Sequence, residues 1–112
     1  MTIEIFNQDL LRFLDESPTP FHSTANLVEP LHREGFQELQ EFEPWTIEPY
    51  GKYFVTRGDS SLIAFSLGAE SVTEAGLQMI GSHTDSPCLK LKPNAAFMAN
   101  GYWQLGVEVY GG

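Results

Sequence analysis

The sequence predicts an α/β fold. Two apolar stripes at helical spacing occupy the first third of the chain, and short runs of β-forming residues, separated by turn residues, fill the rest. A histidine–aspartate pair, His83 and Asp85, falls where one of those runs ends.

Ile3, Phe6, Leu10, Phe13 and Leu14 recur three and four residues apart, which predicts an amphipathic helix over about residues 3–15. Ser17-Pro18-Thr19-Pro20 ends it, because proline cannot continue the hydrogen-bond ladder and restricts the residue before it. Thr19 then suits the cap of a second helix, with Pro20 at its first position. Phe21, Ala25, Val28 and Leu31 are its expected buried stripe, and Gly35 its stop. Pro30 lies inside this pattern and costs about 3 kcal/mol in a continuous helix, so a kink or a break is expected there.

Residues 40–51, with two prolines and three acids, read as a loop. Lys52–Arg57, a Gly58-Asp59-Ser60 turn and Leu62–Leu67 form an expected hairpin. Its second strand is almost continuously apolar and is expected to be buried on both faces. Gly68–Gly76 is a polar connection. Leu77–Gly81 reads as another short buried strand running into Ser82-His83-Thr84-Asp85-Ser86-Pro87. Cys88–Pro93 is a strand with Leu89 and Leu91 on one face and Lys90 and Lys92 on the other. The pattern over 94–100 fits no single element. Trp103, Leu105, Val107 and Val109 alternate with Gln104, Gly106, Glu108 and Tyr110, the mark of a half-exposed, antiparallel strand. Gly111-Gly112 follow at once. A natural domain rarely stops on an unprotected strand and a glycine pair, so a cut is expected there.

The 112 residues suit one small domain, and 42% hydrophobic content with 12% aromatics supplies a core. A domain of this size is marginal without further support. Fifteen acids against six bases give a net charge of −9, which disfavours nucleic acid and anionic membrane surfaces as partners. Cys88 is the single cysteine, so no internal disulfide forms, and a reducing compartment is expected. It reads as a small buried residue. The N-terminus carries acids where a secretion signal needs bases, and no apolar run approaches the roughly 18 residues of a membrane span. The expected location is the cytoplasm.

His83-Thr84-Asp85 is the informative site. In an extended segment residues i and i+2 point to the same side, so an imidazole and a carboxylate would meet at the carboxyl end of a strand, where α/β sheets gather their sites. A neutral imidazole ligates a metal through one nitrogen while a carboxylate fixes its tautomer. Spacing alone favours a plainer reading, a loop histidine hydrogen-bonded by a nearby acid. His22 and His32 fall on the second helix with no acids arranged to join them. Ser82 and Ser86 flank His83 without a nucleophile elbow. Arg57-Gly58-Asp59 reads as a hairpin turn.

Four strings then carry more weight than the triplet. SPTPFHSTANL, YFVTRGDSSLIAFSLG, MIGSHTDSPCLKLKPN and GYWQLGVEVYGG occur in order along nearly the whole chain. Together they closely resemble segments of the aspartyl aminopeptidase family. The resemblance implies a dinuclear zinc metallopeptidase that removes N-terminal residues, often acidic ones, from peptides. It implies that His83 is a zinc ligand and that Asp85 is the catalytic residue that orients and polarises it. Two zinc ions are implied, and cobalt or manganese suits similar sites. The family's remaining ligands and its glutamate base have no counterpart here, so the chain is expected to be an N-terminal fragment, inactive and without tight zinc binding by itself. Residues 1–90 would begin a three-layer zinc-exopeptidase catalytic domain, and 91–112 would enter an inserted β-rich domain used for subunit pairing. Family members form homo-oligomers, dodecamers in several cases. The alternatives are a stand-alone, non-catalytic binding or scaffold module with the same partial fold, and a hydrolase of a neighbouring zinc-peptidase group.

Overall fold

The computed structural model of the chain describes residues 2–110. The order is α1 (Ile3–Asp15), α2 (Pro20–Arg33), β1 (Gln37–Glu38), β2 (Lys52–Arg57), β3 (Ser61–Ser66), α3 (Val72–Ala75), β4 (Cys88–Ala99) and β5 (Tyr102–Tyr110). Gly111-Gly112, and with them the expected cut, lie outside the described residues.

Both long helices stand where the periodicity puts them. The hydroxyl of Thr2 accepts from the Ile5 N–H, and that of Thr19 from the His22 N–H, each at 3.4 Å. Asn26 spans the junction between them, its amide donating to the Glu16 carbonyl at 2.9 Å and to the Ser17 hydroxyl at 3.1 Å. Of the expected kink or break at Pro30 the break does not occur, since helix α2 runs on through it. The proline sits in the last turn, where only one ladder bond is forgone. The carbonyls that follow are taken up by a Schellman arrangement: Phe36 N–H donates to Leu31 and Gly35 N–H to His32, both at 3.0 Å. Gly35 has φ 80°, so the expected stop is confirmed.

The buried edge of α2 differs from the one expected. Ser23 and Thr24 are buried, Leu27, Val28 and Leu31 are half-buried, and Phe21 and Ala25 are exposed. The covered edge thus runs from Ser23 and Thr24 through Leu27, Val28 and Leu31, and small hydroxyl residues lie outside what an apolar pattern announces.

Strands β1, β2 and β3 form one sheet in that order, β1 parallel and β3 antiparallel to β2. The two-residue β1 has no sequence signal. The hairpin is as predicted, with Lys52 opposite Ser66 and Arg57 opposite Ser61. Gly58 and Asp59 both have positive φ, 56° and 54°, the type I′ geometry whose twist matches paired strands. Phe54 is 0% and Tyr53 4% exposed. Neighbours along a strand face opposite ways, so the core straddles β2. His32 meets the Phe54 ring edge-on at 5.0 Å, while Tyr53 lies 5.6 Å from Phe65, on which Trp45 stacks.

Several further expectations are not met. Strand β3 is an edge of its sheet, and Ile63 is 66% exposed rather than covered. Leu77–Gly81 is not a strand: none of the described strands pairs with it, and its side chains are exposed. Helix α3 interrupts the expected polar connection. Cys88 is exposed rather than buried.

Strands β4 and β5 form a second, two-stranded antiparallel sheet. The stretch that fitted no element continues β4 to Ala99 and then turns at Asn100-Gly101, both with positive φ. The register jumps from Leu91–Val107 to Ala96–Leu105, so residues 92–95 lie opposite Gly106 alone. Pro93, which has no ladder donor, sits in this bulge, as does Asn94 at φ 57°. The apolar face of β5 is uncovered, since Trp103, Leu105 and Val109 are all exposed. Among the described residues no helix is long and apolar enough to cross a membrane.

Candidate functional site

His83 lies in the irregular segment between α3 and β4, not at the tip of a buried strand, and its side chain is 76% exposed. The structure does bring it to Asp85. The ring Nδ1 stands 2.5 Å from the Asp85 backbone carbonyl oxygen and 3.8 Å from the Asp85 carboxylate. A carbonyl only accepts, so Nδ1 carries the hydrogen. The neutral imidazole then has its lone pair on Nε2, the form in which histidine ligates a metal.

Thr84, between the two, is engaged elsewhere. Its hydroxyl donates to the Ser60 carbonyl at 2.8 Å, on the turn of the β2–β3 hairpin. No local sequence signal announces this contact, which joins residues 24 apart. A cleft of about 580 Å³ runs beside the segment. It is lined by Pro18–Phe21 from the α1–α2 junction, by Ser60, by Thr84–Ser86, and by Cys88, Lys90 and Tyr110. The SPTPF and HTDSP strings, far apart in sequence, thus share one cleft. The Lys90 ammonium lies 4.9 Å from the centre of the Tyr110 ring.

The other histidines are engaged elsewhere. His22 Nδ1 lies 2.8 Å from the Thr19 hydroxyl, and His32 packs on Phe54. Among the described residues no three His, Cys, Asp or Glu side chains gather as a metal-holding group. His83 with Asp85 therefore suits one position of a zinc site that needs about three protein ligands. A separate ion pair, Glu41 with Arg57, flanks the hairpin; the guanidinium's hydrogen bond holds the Glu41 carboxyl below its usual range and raises Arg57 in turn. Arg57 of the Arg-Gly-Asp string is thus tied back to the preceding loop.

The family pattern described as "Aminopeptidase I zinc metalloprotease (M18)" matches residues 13–112. The chain belongs to the M18 family of zinc metalloproteases. The resemblance read from the four strings holds. A "Probable M18 family aminopeptidase 2" of Pseudomonas fluorescens (strain SBW25) is 56% identical over 109 residues, 97% of this chain and 25% of that protein. The protein of the same description from Azotobacter vinelandii is also 56% identical, over 95% of this chain and 25% of its own length. Among solved structures, yeast aminopeptidase 1 superposes with a TM-score of 0.85 at 33% identity, covering 99% of this chain and 26% of the yeast chain. The M18 chain thus spans about a quarter of the length of the curated relatives it matches. The superposition supports the α/β class and its place as the N-terminal part of such a domain.

Proposed function

We propose that this chain is the opening part of a metalloaminopeptidase that removes N-terminal residues, acidic ones among them, from peptides. His83 supplies a zinc ligand through Nε2, and Asp85 orients the ring. The observation that carries the reading is the Nδ1 hydrogen bond to Asp85, which leaves Nε2 as the free lone pair. The Asp85 carboxylate, 3.8 Å from the same nitrogen, adds a negative charge that polarises the imidazole. When bound, a pair of zinc ions would lower the pKa of a water and polarise the scissile carbonyl. Cobalt and manganese suit similar ligand sets.

The relatives' description as aminopeptidases supports the reaction class. One structural relative, an S. cerevisiae mApe1 chain with a TM-score of 0.80 and 34% identity, is described as a dodecamer, which supports a homo-oligomer here. The uncovered apolar residues of β5 suit a subunit surface. Residues 1–90 would open the catalytic domain and 91–112 the inserted β-rich domain; the separate β4–β5 sheet favours that division, although β4 itself spans the junction. The cytoplasm is the proposed location.

The test is His83→Ala in the full-length polypeptide, read by bound zinc and peptide turnover. Loss of a ligand should weaken zinc by more than the about 10–100-fold that loss of an outer partner costs. Full retention of metal and turnover would sink the reading of His83 as a ligand, whereas an unsubstituted polypeptide that neither binds zinc nor cleaves peptides would leave the scaffold module standing.

A further inference from the structure

We propose that Thr84 is a positioning residue for His83: its hydroxyl, held by the Ser60 carbonyl, pins the His83–Asp85 segment to the turn of the β2–β3 hairpin. The proposal rests on the reading of His83 as a zinc ligand.

The segment needs such a pin. Residues 77–87 belong to no helix or strand. Among the described residues no backbone-to-backbone hydrogen bond ties them to another element. The Thr84–Ser60 bond, at 2.8 Å, spans 24 residues and is part-buried, whereas the His83–Asp85 bond is local and exposed. The geometry divides the labour. Thr84 sits at a bend, half-buried and bonded to Ser60, while His83 and Asp85 on either side of it stay exposed.

The acceptor is itself well fixed. Ser60 closes the hairpin turn, its N–H donating to the Arg57 carbonyl at 3.2 Å. Gly58 and Asp59 hold the type I′ geometry, and the ladder behind them leads to Phe54 and Tyr53, the buried centre of the sheet. Thr84 therefore connects this loop to the sheet that carries the buried Tyr53 and Phe54. A residue that must be ordered when a metal binds loses conformational entropy at that moment. A segment ordered beforehand avoids that loss, so the pin should appear in zinc affinity.

The experiment compares Thr84→Val, which keeps the shape without the hydroxyl, with Thr84→Ser, which keeps the hydroxyl. Both are made in the full-length polypeptide, beside His83→Ala. Zinc affinity is measured by chelator competition, and amide hydrogen exchange of residues 82–86 is measured in the metal-free protein. Thr84→Val should weaken zinc about tenfold, at the lower end of the effect of outer partners, and speed exchange across 82–86. Thr84→Ser should match the wild type in both. If valine unfolds the protein, Thr84→Ala is the substitute, with the same expected result. Wild-type affinity and exchange in Thr84→Val would overturn the proposal, as would a Thr84→Ser variant as impaired as the valine. Metal retained in His83→Ala would instead overturn the ligand reading on which the proposal rests, a distinct result because exchange in the metal-free protein reads the pin by itself.

Discussion

Gly51 lies against the ring of Tyr53, so close that a Cβ at residue 51 would stand 2.5 Å from the tyrosine hydroxyl oxygen and 2.6 Å from Cζ. The ring has little freedom to yield. Tyr53 is buried, its hydroxyl accepts from the Glu48 N–H at 2.9 Å, and it packs on Phe65. Gly51 is also fixed by the Leu67 N–H, which donates to its carbonyl at 2.9 Å. Gly51→Ala should therefore destabilise the fold by about 1–3 kcal/mol, the usual cost of overpacking. A lower urea midpoint at unchanged slope is the expected result.

Two apolar residues on adjacent strands should answer very differently to substitution. Phe54 is fully buried between α2 and the sheet, so Phe54→Ala should cost about 3–5 kcal/mol. Ile63 on β3 is mostly exposed, and Ile63→Thr should stay within about 0.5 kcal/mol. Thermal melting of the two variants checks the contrast. Equal losses would mean that the open face of β3 is covered in solution.

That contrast also shows what the sequence could and could not reveal. Local signals were sufficient for α1, for the Thr19-Pro20 start and the Gly35 stop of α2, and for the β2–β3 hairpin, because caps, prolines and turn glycines act within a few residues. The strand at Leu77–Gly81 and the burial of β3 were misjudged because an apolar run states a need for partners without supplying them. Asn100-Gly101 carries a local signal of the same kind, since that dipeptide favours a hairpin. At the site, the nearness of His83 and Asp85 followed from their closeness in sequence, although the contact runs across a bend at Thr84 to the backbone carbonyl rather than along an extended segment to the carboxylate. The Thr84–Ser60 bond did not, because a threonine hydroxyl accepts many partners and its partner lies far away in the chain.

Acid should weaken the Glu41–Arg57 tie. The guanidinium lowers the Glu41 carboxyl below its ordinary value near 4.5, so the ionised form is favoured in the folded chain. The resulting stability is present above that ordinary value and is lost as the pH falls through the lowered one. The Glu41 side chain is 29% and that of Arg57 78% exposed, so solvent and salt screen the pair and the effect is small. Urea midpoints of wild type and Glu41→Gln should differ at neutral pH and low salt and converge in acid. A difference that persists in acid would assign the role of Glu41 to packing rather than charge.

Asp85 offers His83 two acceptors, and they make separable predictions. The backbone carbonyl is at 2.5 Å from Nδ1 and the carboxylate at 3.8 Å. Asp85→Ala removes the second and keeps the first, so His83 should remain in the Nδ1–H tautomer. Ring ¹H–¹⁵N correlation spectra of the metal-free protein report that directly. A shift to the Nε2–H form would show that the carboxylate is the true acceptor in solution. With the tautomer preserved, Nε2 keeps its lone pair, and zinc affinity should fall less in Asp85→Ala than in His83→Ala. The carboxylate's remaining contribution is its charge beside the ring, and its removal should appear as a loss within the about 10–100-fold of an outer partner.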